Sequence, residues 1–288
     1  MNLVTEKCDI VKVQLGAQSV YVVDTPGFDD TDRTQGEILE DISKFLATQY
    51  AFGLQLRGII YLHRITDPKV QGSTLNNFIM FKEICGREAL ENVILLTTMW
   101  DVVESESIGA KRQQELRDDF WADMIENGSM VRKFDGSTAM AEALVCRLLN
   151  KPPVVLQIQR DVMDSKKKLQ DTKAGQRILP RIESNLRATE NQIKSLGKDA
   201  ERARKRGDFQ EEQRIREKLD LASKERWKQA EAQKRLSRAL GPDISEQVEE
   251  ERKKSRFRTR MSAFASFAGL TITLAAHIIL PLVGVPIM

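Results

Sequence analysis

Histidine and cysteine are scarce in this 288-residue chain, with two and three residues respectively. Cys8, Cys85 and Cys146 are widely spaced and odd in number. That argues against a disulfide framework and fits a reducing compartment. No pair has metal-ligand spacing, which argues against a zinc site. Charge of one sign is not in excess: 45 Lys and Arg face 42 Asp and Glu, a net charge of +3. No global signal for nucleic acid or another polyanion follows from so small a balance. The opening "MNLVTEKCDI" has no apolar core of a secretory signal. A glycine-rich phosphate cradle, GxxxxGK[ST], is also missing. The single Gly-Lys pair, Gly197-Lys198, precedes Asp199 and has no glycine five residues before it.

What is present divides into three parts. Residues 1–152 alternate β-rich apolar runs with amphipathic segments. "CDIVKVQL" and "SVYVVD" read as strands joined by a tight "GAQ" turn. "GIIYLH" and "NVILLTT" read as parallel strands buried on both faces. Helical patterns cover roughly 35–52, 74–85, 107–126 and 137–149. Strands alternating with helices predict an α/β domain with a mostly parallel sheet.

Residues 153–260 carry no strand signal, and 28 of the 60 residues from 181 to 240 are charged. Ile182, Leu186, Thr189, Ile193, Leu196, Ala200 and Ala203 keep the 4-3 spacing of a coiled-coil seam. After Gly207-Asp208 a similar seam resumes at Ile215, Leu219, Ala222, Leu236 and Leu240. The expectation is two long helices folded back as a hairpin, the second ended by Gly241-Pro242. Residues 262–288 contain no Asp, Glu, Lys or Arg, and "RKKSRFRTR" just before them holds six basic residues. That length and those flanks predict a C-terminal apolar helix anchored in a membrane, with the remainder on the cytoplasmic face. An apolar helix packed on the α/β domain or a partner is the alternative.

The chemistry concentrates in "VYVVDTPGFDD", residues 20–30. Asp24 ends a predicted strand, the edge where open α/β sheets bind ligands. A carboxylate there holds magnesium, usually through water. Thr25 and Gly27 complete the loop, and Gly27 lets a backbone N–H approach a terminal phosphate. An ordinary β-turn is the competing reading of Thr-Pro-Gly. Downstream, "NVILLTTMWD" places Thr98 and Asp101 after another buried strand. A carboxylate there accepts from the two N–H groups of guanine, a donor pair that adenine lacks. Met99 stands at the lysine position of an [NT]-K-x-D loop.

The stretches "VDTPGFDDT", "GIIYLHRITD", "NVILLTTMWD" and "VVLQIQRDVMDSKKKLQDTKAG" together resemble septin-like P-loop GTPases of the immune-associated, avirulence-induced-gene type. The resemblance spans about residues 3–175. It implies a Ras-like α/β fold, GTP or GDP with magnesium, pairing through G domains and, in some members, a C-terminal apolar anchor. By its pattern Asp24 is the magnesium-linked Asp, Gly27 the γ-phosphate donor and Asp101 the guanine reader. Thr5 matches the switch Thr loosely, as a second magnesium contact. His63 and Arg64 would end a strand near the ligand or dimer face, or simply cap the surface. The residues before Asp24 are too few for a first strand, cradle and first helix. The sheet is thus expected to lack its central strand and to expose an apolar face. A piece of a longer GTPase is the favoured account, and a cradle-less remnant the other. Phe28 stands where a water-orienting Gln would be, so any hydrolysis would lean on other groups, such as a partner subunit's, and without a cradle this chain alone is expected to be inactive. Two functions compete: a membrane-tethered guanine-nucleotide switch that self-associates through its G domain or coiled coil, and a non-enzymatic scaffold assembled by the coiled coil.

Overall fold

The computed structural model describes residues 9–27, 33–67, 72–254 and 277–283. Strands β1 (Asp9–Leu15) and β2 (Gln18–Pro26) form an antiparallel hairpin. Gly16 turns it at φ 59°, a backbone region that costs a side-chain-bearing residue energy. The remaining strands are β3 (Gln55–Leu56), β4 (Ile59–Arg64), β5 (Val93–Thr98), β6 (Met130–Lys133) and β7 (His277–Val283). Helices α1 (Gln35–Ala51), α2 (Ser73–Cys85), α3 (Glu106–Glu115), α4 (Ala122–Glu126) and α5 (Thr138–Leu149) lie between them. The short α6 (Gln157–Gln159) then leads to α7 (Lys173–Lys205), α8 (Phe209–Leu236) and α9 (Leu240–Lys254).

The sheet runs β1-β2-β7-β4-β5-β6, with β3 pairing on β7. β4, β5 and β6 are mutually parallel, as "GIIYLH" and "NVILLTT" predicted. Alternation along these strands builds a layer on each face. Ile59, Tyr61, Val93 and Leu95 join the large core with α1, α2 and the later helices. Ile60, Ile94 and Leu96 pack with Leu144 and Leu148 of α5 on the other face. The result is a mixed α/β protein with long helices. Cys85 is buried, and desolvation pushes its thiol well above the usual range.

Two expectations are corrected here. The C-terminal segment was expected to be an apolar helix, but His277–Val283 is a strand. Among the described residues no helix is long and apolar enough to cross a membrane. Residues 255–276 and 284–288 lie outside the described part. The same strand removes the expected gap in the sheet. β7 pairs antiparallel with β2 over seven residues and with β4 through Ile60–Ile279 and Tyr61–Ile278. An unpaired row of backbone groups on a central strand is costly, and an apolar segment from elsewhere in the chain satisfies it.

The helical hairpin forms as the spacing predicted. α7 and α8 reverse at Gly207 (φ 73°), and Asp208 caps α8 by accepting from the Glu211 N–H at 3.1 Å. Ile182, Thr189, Ala203, Ile215, Ala222 and Leu236 are buried along the seam. The predicted stop at Gly241-Pro242 is not the end of α8. That pair lies in the first turn of α9, where proline lacks no needed N–H. Gly241 is required for contact: a Cβ there would sit 2.4 Å from the Val162 carbonyl oxygen. The root of the arm is not separate from the α/β part. Ile178, Ala232, Leu236, Ile244 and Val248 share the large core with Phe45, Phe81 and Leu95.

Ion pairs add to that junction. α1 opens with a capping box, the Thr34 hydroxyl accepting from Glu37 N–H while Glu37 accepts from Thr34 N–H. One turn on, buried Glu40 accepts from Arg235 of α8 at 2.7 Å, and Arg238 lies 3.5 Å from its other oxygen. Arg33 pairs with Asp41. Burial outweighs that partner, and the Asp41 carboxyl is pushed up to about 6. Gly36 lets α1 meet α8 closely, since its Cβ position is 3.0 Å from the Ala232 Cβ.

Candidate functional site

The site follows from strand direction. β2 and β4 both run antiparallel to β7, so β2 runs with β4, β5 and β6. Their carboxyl ends share one rim of the sheet. The loop from "DTPG" leaves β2 at this rim, and the loop from "TMWD" leaves β5. Three strand spacings separate them, about 14 Å.

On β2, Asp24 is exposed, Thr25 is buried and Gly27 is half-buried at the strand's exit. Phe28 and the acidic residues after it lie outside the described part, as does Thr5. The second loop is described throughout. The Thr98 hydroxyl donates to the His63 carbonyl at 3.4 Å, tying β5 to β4. Met99 adopts φ 61°, a left-handed conformation uncommon outside glycine and costing roughly 1–2 kcal/mol. That turn folds Trp100 back under the rim. Its indole N–H lies 3.0 Å from the Thr97 hydroxyl and 3.2 Å from the Thr97 carbonyl. A Cβ on Gly109 would lie 2.7 Å from the Trp100 ring, so glycine makes room for it. Lys133, at the end of β6, sits 4.1 Å from the ring centroid in a cation–π contact. Asp101 follows, exposed. Arg112 of α3 donates to the carbonyls of Ile65 and Thr66, both at 3.2 Å, and fixes the loop after β4.

The rim gathers Gly27, Thr98 and Asp101 at the ends of co-directional strands, whereas Asp24, expected to end its strand, and Thr25 lie inside β2, level with Ile94 and Leu95 of β5. His63 is placed differently from the others. Its ring is buried beside Trp121, edge-on at 5.9 Å, although its strand position is level with Thr97. Neighbouring Arg64 is exposed and pairs with Asp67 at 3.5 Å. Nothing in the local sequence pattern singles out Trp100 or Lys133. "MVRK" is only four residues long, so its strand carried little periodic signal, and the cation–π pair joins positions 33 residues apart. Among the described residues no cluster of three or more His, Cys, Asp or Glu could hold a metal ion. A magnesium ion fits only as one that arrives with a phosphate, since it keeps several waters and needs one or two carboxylates. Compared with known proteins, the chain matches no family model and no curated protein.

Proposed function

We propose that this rim recognises a guanine nucleotide, in a protein whose C-terminal segment gives it a second state at a membrane. The reading takes the chain as a septin-like, immune-associated type of GTP-binding protein that has no cradle sequence. The observation that supports it best is the shared strand direction: the strand bearing Asp24 and the strand leading to Thr98 and Asp101 run the same way and end at one edge of the sheet. In this role Asp101 accepts from guanine, with Met99 alongside and Thr98 bracing the turn. Asp24 takes the magnesium that accompanies the phosphates, with Thr5 as a second contact. Gly27 and Thr25 face the terminal phosphate.

A consequence follows from the absent cradle. Each charge-assisted hydrogen bond that a cradle supplies is worth about 1.5–3 kcal/mol. Without them, base recognition carries most of the affinity, and GTP exceeds GMP only by what the Asp24 magnesium and Gly27 contacts add. The test is titration of a fluorescent guanine nucleotide with magnesium, competed by each phosphate form and by ATP. Saturable binding that ATP does not displace is expected. Equal displacement by ATP, or no saturation to millimolar concentration, overturns the reading.

A second reading rests on α8, where Phe209, Leu221 and Trp227 are 74%, 66% and 66% exposed. Large apolar side chains on a solvated arm favour a scaffold that assembles through the hairpin. Phe209→Ser, Leu221→Ser and Trp227→Ser together, all at exposed positions, then abolish self-association in sedimentation, and oligomers that survive them rule it out.

A further inference from the structure

β7 joins the two parts of the sheet. β1 and β2 connect to β4, β5 and β6 in the ladder through this strand, by way of seven register pairs to β2 and two to β4. The sequence gives the same strand a second affinity. It belongs to a 27-residue stretch without Asp, Glu, Lys or Arg, preceded by six basic residues within 252–260. Such a stretch favours a lipid surface with anionic headgroups.

The two placements cannot coexist. A segment entering a bilayer must satisfy its backbone groups internally, as a helix does. A strand paired to β2 and β4 has its backbone committed to the sheet, and helices cover both faces of that sheet. We infer that the C-terminal strand is exchanged between the sheet and the lipid surface, so that membrane attachment and a closed sheet are mutually exclusive. The inference rests on the membrane part of the proposed function and not on the nucleotide part. Its consequence reaches the rim, because withdrawing β7 breaks the ladder between the strand bearing Asp24 and those bearing Thr98 and Lys133. By linkage, whatever steadies the closed sheet weakens lipid binding by the same factor, and the reverse.

The test locks the strand. Tyr21 and Leu282 are register partners. Antiparallel partners lie about 4.5–5.5 Å apart at Cα, within disulfide range. Tyr21→Cys and Leu282→Cys are introduced together into the full chain, with Cys8 and Cys146 changed to Ser. Cys85 stays, since it is buried and inert. A Tyr21→Cys/Ile278→Cys chain, four residues out of register, is the control. Co-flotation with vesicles of phosphatidylcholine and phosphatidylserine (70:30) is measured with and without reductant. The in-register pair is expected to close within one chain and to bind vesicles at least tenfold more weakly when oxidised, with recovery on reduction. Equal binding in both redox states overturns the inference and leaves membrane attachment standing. No binding in either state overturns both. Failure of the in-register pair to close, with the control behaving the same, shows that the strand is not in the sheet and also overturns the inference.

Discussion

Asp41 gives the sharpest stability test. Its carboxyl lies at the junction of α1 and α8, where burial raises its pKa from 3.8 to about 6 despite the Arg33 partner. In the unfolded chain Asp41 ionises near pH 4, whereas in the native protein it holds its proton up to about pH 6. The native state therefore binds more protons across that window, and the Asp41 contribution to stability falls as pH rises through it. Below the window both states are protonated, and above it both are ionised and the slope vanishes. The displacement from 3.8 to about 6 corresponds to about 3 kcal/mol. Asp41→Asn keeps the size and an acceptor for Arg33 but cannot titrate. Urea denaturation of both proteins at half-unit steps from pH 4 to 7 isolates the effect from all other carboxylates. The variant's stability relative to the parent should climb by about 3 kcal/mol across the series and level off above pH 6. A difference that stays constant, or that falls with rising pH, refutes the reasoning: Arg33 would then outweigh burial.

Further outcomes follow from the same contacts. Arg235→Ala leaves buried Glu40 with only Arg238 at 3.5 Å and should cost about 2–4 kcal/mol in denaturant unfolding, with a loss under 0.5 kcal/mol counting against the ion pairs. Gly175→Ala places a Cβ 1.9 Å from the Leu169 carbonyl oxygen and should destabilise by about 3 kcal/mol or more, read as a lowered melting temperature. Met99→Gly relieves the left-handed turn and should raise stability by about 1 kcal/mol, and a loss instead would show that its side chain holds the loop. Asp101→Ala, at an exposed position, should leave folding unchanged by circular dichroism and lower guanine-over-adenine preference at least tenfold in nucleotide competition.

Local pattern made much of this molecule legible. "GIIYLH" and "NVILLTT" carry apolar residues on both faces, and only a strand sandwiched between helix layers buries them all. The 4-3 spacing from Ile182 onward leaves one stripe to hide, and the glycine at 207 supplies the reversal that hides it. The loop after Thr98 could be placed at a strand end because strand limits follow from where apolar runs stop, whereas β2 runs two residues past Asp24, to Pro26. Gly241-Pro242 misled because the pair serves at a helix start as well as after a helix end, and only the contact with Val162 decides between them.

The sequence by itself determined the alternation of strands and helices, the hairpin arm and the two acid-bearing turns, since each rests on neighbours within one or two turns of chain. Only the tertiary structure decided that His277–Val283 becomes a strand between β2 and β4, its Val283 paired with Val20 from the other end of the chain. An uncharged apolar run satisfies a bilayer, a helix layer or an open strand position equally well. Which it takes depends on backbone partners that no local pattern reveals.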